Sequence, residues 1–259
     1  MTTLSLQLFA WVSEMGLIAF ALFLRVGASM ALLPAFGEQV VPMRVRLGLT
    51  IAFCTLLLPL VAPEVQISIA TEWNYFRAGA EIANGFLIGF AFRLFVIALN
   101  IAGMIAASAT SLAQIFGGGV GVDPQPAIAN IMVIAGLALA TMGGLHLKIV
   151  EAFLISYDLL PAGDWPNPAD VVEWAMRDIA DAFGLGFAIA GPFAVAALVY
   201  NLALGVINRA MPQLMVAFVG APALTLGGLM LLAVSLPFAL EIWVALFEVR
   251  LIDPLGSFR

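Results

Sequence analysis

Polar and charged positions lie unusually far apart along this chain. Four stretches contain no Asp, Glu, Lys or Arg: Leu94 to Val122, Pro124 to Leu147, Ala182 to Asn208 and Ala210 to Leu240. A helix crosses a bilayer with about 20 apolar residues, so each stretch is long enough. Shorter apolar runs fill the first half: Met15 to Gly37, interrupted by Arg25, then Leu47 to Pro63, then Ile82 to Phe92, which continues past Arg93. Apolar residues do not alternate with polar ones, as they do in the roughly 10-residue strands of an outer-membrane barrel. The pattern predicts helices, which satisfy their own backbone in lipid. It reads as an all-α, polytopic membrane protein of about six long apolar helices.

The expected spans are Leu8 to Leu33, closed by Pro34; Leu47 to Leu60, closed by Pro59 and Pro63; and Ala78 to Ala102, with a helix able to run on to Phe116. Ala127 to Leu147, Leu185 to Ile207 and Leu214 to Phe247 complete the set. Trp73 and Tyr75, in the polar connection from Glu64 to Arg77, are residue types favoured at membrane interfaces. The run Gly117-Gly-Gly-Val-Gly-Val-Asp-Pro-Gln-Pro126 breaks the helix between spans three and four. Residues 148–182 form an acidic connection, with a short amphipathic helix over Val171 to Phe183 capped by Asp170. Asn208 to Gln213 is a tight turn between spans five and six. Pro192, Pro222 and Pro237 fall inside apolar runs, where they bend a helix.

Composition sharpens this reading. Only 10% of the 259 residues are charged, against 63% hydrophobic; a soluble domain carries about 25% charged residues and needs them to cover its surface. The net charge of −6 gathers in the acidic connection, at Glu151, Asp158, Asp164, Asp170, Glu173, Asp178 and Asp181. No basic patch offers itself to a nucleic acid. The first residues lack a basic n-region and a small-residue cleavage site, so they read as the retained start of span one. Lys and Arg are nearly balanced between the two sides of the membrane; loop compactness places the first and fifth loops in the cytoplasm.

Bond chemistry finds little footing. Cys54 and His146 are the single cysteine and histidine, so no disulfide, CxxC pair or HExxH site can form. The chain has no GxSxG elbow, no Walker A loop and no GxGxxG. We therefore expect no enzyme and no cofactor. Intramembrane charges suggest function by default, and four lie in or near apolar runs: Arg25, Glu81, Arg93 and Glu241. They read either as an ion or proton path or as salt bridges between helices. The glycine-rich break reads either as a constriction in a conduit, with Phe116 as an apolar blocker, or as an ordinary turn. Small residues recur at four-residue spacing, at Gly85 and Gly89, at Gly103, Ala107 and Ser111, and at Gly136, Ala140 and Gly144; such rows let helices approach closely, within one chain or between subunits.

Three stretches together carry a resemblance. Val41-Pro-Met-Arg-Val-Arg-Leu-Gly-Leu49 leads into span two; small residues from Gly103 through Ser111 precede Asp123-Pro124; and Asn201-Leu-Ala-Leu-Gly-Val-Ile-Asn-Arg-Ala-Met-Pro-Gln-Leu214 closes span five. In motif order and span count the whole chain resembles the FliR family of type III export gates. The resemblance implies a non-enzymatic subunit of a pore in the bacterial inner membrane, within the flagellar basal body. Unfolded flagellar proteins would cross through it. FliP-like and FliQ-like gate subunits, FlhB-like and FlhA-like export proteins and membrane lipid would be its partners. It also implies a FliP-like part, residues 1–183, followed by a FliQ-like helix pair, residues 184–259. The family's pore loop corresponds to Ile115, Phe116, Gly117, Gly118, Gly119, Gly121, Asp123 and Pro124. Its entrance turn corresponds to Asn208, Arg209, Pro212 and Gln213, and its loop motif to Pro42, Arg44 and Arg46. Three consecutive glycines stand where some relatives carry bulky apolar residues, which shifts sealing towards Ile115, Phe116 and partner subunits. A virulence-secretion homologue and a small-solute secondary transporter are the alternatives.

Overall fold

Helices account for nearly all of the backbone, as the long apolar runs require. The computed structural model of the protein describes residues 2–69, 73–110, 127–210 and 216–255. Seven helices lie among them: α1 (Thr2–Met30), α2 (Met43–Ile69), α3 (Tyr75–Thr110), α4 (Ala127–Met142), α5 (Leu145–Leu159), α6 (Pro168–Ala210) and α7 (Val216–Ile252). Five stretches are long and apolar enough to cross a membrane: Ser5–Met30, Met43–Ala62, Tyr75–Ala109, Pro168–Ile207 and Leu226–Ile252. The pair α4 and α5, bent by 76°, makes a sixth if it is counted as one span.

Several expected boundaries move. Pro59 and Pro63 do not close the second helix, which continues to Ile69; in a membrane, neighbouring groups re-satisfy what a proline frees. The fourth span does not run straight to Leu147. It bends at Gly144, whose φ of 81° is a left-handed value that suits glycine. Much of the supposed acidic connection is then helical, as α5 and the start of α6. The short amphipathic helix and span five are one continuous helix of 43 residues. Gly186 is no break there, because its missing side chain lets α6 approach Ala98 and Ile101 of α3. Its cap is Asn167 rather than Asp170: Asn167 Oδ1 accepts from the Ala169 N–H at 3.1 Å, and Pro168 takes the first helical position, where no N–H is needed. Asp170 sits in the first turn, where its charge suits the helix dipole.

The chain forms two compact units. The first comprises residues Met1–Leu94, Thr141–Asp178 and Phe247–Arg259. Its core holds Trp174 with Ala91, Leu160 and Leu255. Phe90 meets the Trp174 ring edge-on, and Phe92 meets Phe247 likewise. The second comprises Phe95–Ala140 and Ile179–Leu246. It is built around buried Trp243, whose Nε1 donates to the Phe95 carbonyl at 2.8 Å.

Four of the recurrent small residues pack within the chain, while Gly144 meets nothing within 4 Å and Ser111 lies outside the described residues. A Cβ on Gly85 would strike the Arg25 carbonyl, and one on Gly89 would meet Ser29 and Leu32 of α1. In the second unit, Gly103 lies against the backbone of Ala129, and Gly136 against Leu99. Hydroxyls bond back along their own helices, Thr50 to Arg46 at 2.9 Å and Thr55 to Ile51 at 2.8 Å, so they do not face lipid unpaired.

Candidate functional site

Arg25 is the most completely engaged side chain described. It lies in the last two turns of α1 and is fully buried, so each of its five N–H groups must find an acceptor. Nε donates to Glu81 Oε2 at 2.8 Å and Nη2 to Glu81 Oε1 at 3.1 Å, a bidentate pair. Nη1 donates to the Ser156 carbonyl at 3.2 Å and to Ser156 Oγ at 3.3 Å. Nη2 also reaches the Leu160 carbonyl at 2.9 Å. The guanidinium lies 3.7 Å from the centre of the Tyr157 ring, a cation–π contact.

Those acceptors explain what the pair does. Leu160 caps the end of α5, where the last carbonyls lack helical partners and the dipole favours a cation; the Ser156 carbonyl, which accepts the Leu160 N–H at 2.9 Å, takes Arg25 as a second donor. Arg25, from α1, therefore caps α5. Glu81, from α3, takes the opposite role and accepts the Gly163 N–H at 2.7 Å in the turn that follows. Gly163 has a φ of 77°, which again favours glycine. One helical turn on, Asn84 Nδ2 donates to the Asp164 carbonyl at 3.1 Å. Both Glu81 oxygens are thus occupied, and the pair is an inter-helix salt bridge that fixes the α5–α6 turn.

Arg93 has a partner that the sequence did not announce. Its Nη1 donates to Glu38 Oε1 at 2.6 Å. The Glu38 carbonyl accepts from Arg46 Nη2 at 3.1 Å, so one residue ties the α1–α2 loop to both α2 and α3. That loop contains Ala35 at a φ of 65°, an uncommon value for a residue with a side chain. Arg46 is only half-buried, and Pro42 and Arg44 are exposed. Arg209 is exposed in the last turn of α6, and Asn208 belongs to the same helix. Pro212 and Gln213 lie outside the described residues, as does the whole expected pore loop from Ile115 to Pro124.

The flanks of that loop are described. Gly103 of α3 and Ala129 of α4 meet backbone to backbone. The two helices are held together there closely enough that no side chain fits at Gly103.

Glu241 differs from the other three charges. It lies on the exposed side of α7, and no hydrogen bond or ion pair among the described residues involves it. Two further pairs close the end of α7: Lys148 with Glu248, and Arg250 Nη2 with Asp178 Oδ1 at 2.9 Å. Sequence reasoning missed Glu38, Ser156, Tyr157 and Gly163. A signal existed for Glu38 alone, as the one acid in the loop beside two arginines.

Long apolar helices, with internal charges paired across them, define a multi-pass membrane protein. Its sequence matches the bacterial export proteins, family 1, over residues 17–249. The chain belongs to that family. It is 32% identical over 228 residues to the flagellar biosynthetic protein FliR of Caulobacter vibrioides, covering 87% of this chain and 91% of that one. It is 29% identical over 233 residues to FliR of Escherichia coli, covering 88% and 87%. It is 30% identical over 221 residues to FliR of Aquifex aeolicus, covering 83% of each.

Proposed function

We infer that this chain is a component of the flagellar export apparatus, and propose that it is a non-enzymatic subunit of the export gate in the bacterial inner membrane. In this reading it forms part of the wall through which unfolded flagellar proteins pass, with FliP-like and FliQ-like subunits beside it and FlhB-like and FlhA-like proteins near the entrance. The observation that carries it is likeness along almost the whole length to proteins named for flagellar biosynthesis. The charge geometry fits a structural part: Arg25 and Glu81 are locked to each other and to a helix end. The residues from Ile115 to Pro124, between the two helices that meet at Gly103 and Ala129, are the element we assign to closing the conduit.

The test is replacement in a flagellated bacterium lacking its own FliR. Expression of this chain should restore filaments and release of filament subunits into the medium. Cells that make filaments without any such chain, or uptake of a small solute by the purified chain alone, would overturn the proposal.

A further inference from the structure

The loop between α1 and α2 is tied down from inside while its tip faces out. The Gly37 N–H donates to the Leu33 carbonyl at 2.7 Å, and a Cβ on Gly37 would strike the Ala31 carbonyl. Phe36 meets Phe53 of α2 edge-on. Glu38 is fully engaged: its carboxylate accepts from Arg93, and its carbonyl accepts from Arg46 Nη2 and from the Val41 N–H. Beyond this anchored part, Val40 is 91% exposed and Met43 74%.

Arg44 comes next and is also exposed. No hydrogen bond or ion pair among the described residues involves it. By contrast, Arg25, Arg93, Lys148, Arg177 and Arg250 are in ion pairs with acids. Glu38 is the one acid between Ala31 and Leu47, and Arg93 occupies it, so the start of α2 carries uncompensated positive charge in a chain whose net charge is −6. Arg46, two positions on, lies towards the packed side of the helix, where the Glu38 carbonyl holds it.

Helical spacing places Leu47, Gly48, Ile51 and Thr55 on the face that Arg44 heads. All four are exposed, and the Thr55 hydroxyl is satisfied by its own helix. The other face packs inward through Thr50, Phe53, Leu57 and Val61. Arg44 thus stands in the first turn of a candidate span, Met43–Ala62, of which only 22% of the apolar window is buried within the protein. A cation at the end and an uncharged face along the length follow the cross-section of a phospholipid leaflet, with phosphate above acyl chains. A guanidinium binds phosphate oxygens in a bidentate fork, and its long stem reaches the headgroup from a span's end. A carboxylate on a protein would also suit the charge, but the bare Val40 and Met43 beside it suit hydrocarbon.

We propose that Arg44 holds the phosphate of an anionic phospholipid at the start of α2, with Val40 and Met43 set in the bilayer interface and Leu47 and Ile51 along the acyl chains. The bound lipid fixes the depth of the first loop in the membrane. This inference uses the membrane character of the chain and does not rest on the gate-subunit reading.

The full chain, purified in mild detergent, is titrated with phosphatidylglycerol and with phosphatidylcholine, and the lipid-bound fraction is read by native mass spectrometry. Wild-type chain should bind phosphatidylglycerol about fivefold more tightly than phosphatidylcholine. Arg44→Gln should abolish that preference, and Arg44→Lys should keep it within about twofold, since a point charge still attracts phosphate. Arg209→Gln, at the exposed arginine in the last turn of α6, should leave it unchanged. Each variant should melt at the wild-type temperature without added lipid. Inorganic phosphate at the same concentration should not displace the lipid, because it brings no acyl chain. A preference unchanged in Arg44→Gln, an equal loss in Arg209→Gln, or displacement by inorganic phosphate would each overturn the proposal. So would an Arg44→Gln chain that keeps its lipid but loses a co-purifying protein, which would assign the side chain to a protein contact.

Discussion

Helices α3 and α7 each carry a glutamate in an apolar setting, and the two are treated oppositely. In α3, 56% of the most apolar window is buried within the protein, whereas in α7 the figure is 17%. Glu81 of α3 is fully buried and saturated by Arg25 and Gly163. Glu241 of α7 is exposed and has no partner in the described residues. An ionised group away from water must be neutralised by something. Here the first is completed within the chain, and the second has no partner among the described residues. The contrast separates a charge that holds this protein together from one that does not.

The largest expected effect would break that contrast if it failed. Glu81→Ala leaves a buried guanidinium without a counter-charge and should cost about 3–5 kcal/mol. Glu241→Ala should stay within about 0.5 kcal/mol on the isolated chain. Thermal unfolding in detergent, followed by fluorescence of buried Trp174 and Trp243, measures both; equal losses would erase the distinction. The double variant Arg25→Met, Glu81→Leu sharpens it. Replacing both charges with apolar groups should leave the protein more stable than either single change does; additive losses would mean that the two side chains act separately.

Next in size is Gly103→Leu, which drives a side chain into the Ala129 backbone and should cost about 1–3 kcal/mol. Gly205 meets nothing within 4 Å, so Gly205→Ala should stabilise α6 by about 0.5–1 kcal/mol. If the two glycine changes had the same sign, the close contact of α3 with α4 at Gly103 would be in error. A small loss is also expected for Glu38→Gln, whose ion pair with Arg93 is 26% and 31% exposed. Its loss should cost less than about 1 kcal/mol, because water competes for exposed pairs, and added salt should shrink the difference.

Much of this fold was legible in the sequence, because bilayer thickness writes itself into run length. The charge-free stretches located the later helices, and three of the four charges in apolar runs, Arg25, Glu81 and Arg93, are in ion pairs. What was illegible was non-local. Nothing near Arg25 names Ser156 or Leu160, more than 130 positions away. Prolines misled at α2, since helix-breaking in water is a weaker rule where the surrounding solvent offers no hydrogen bonds. The bend at Gly144 and the cap at Asn167 are single-residue decisions settled by packing. The family likeness was carried by three motifs, yet two of them name residues of the pore loop and entrance turn that lie outside the described residues.

The central claim, that this chain forms part of the wall of a polypeptide conduit, is tested most directly by deleting Gly117 to Gly119 in the complemented bacterium. Membrane ion permeability and release of filament subunits would be measured together. The account predicts leakage with the gate at rest, or export stalled, with the chain still present in the membrane at wild-type amount. Wild-type permeability together with wild-type export would contradict it.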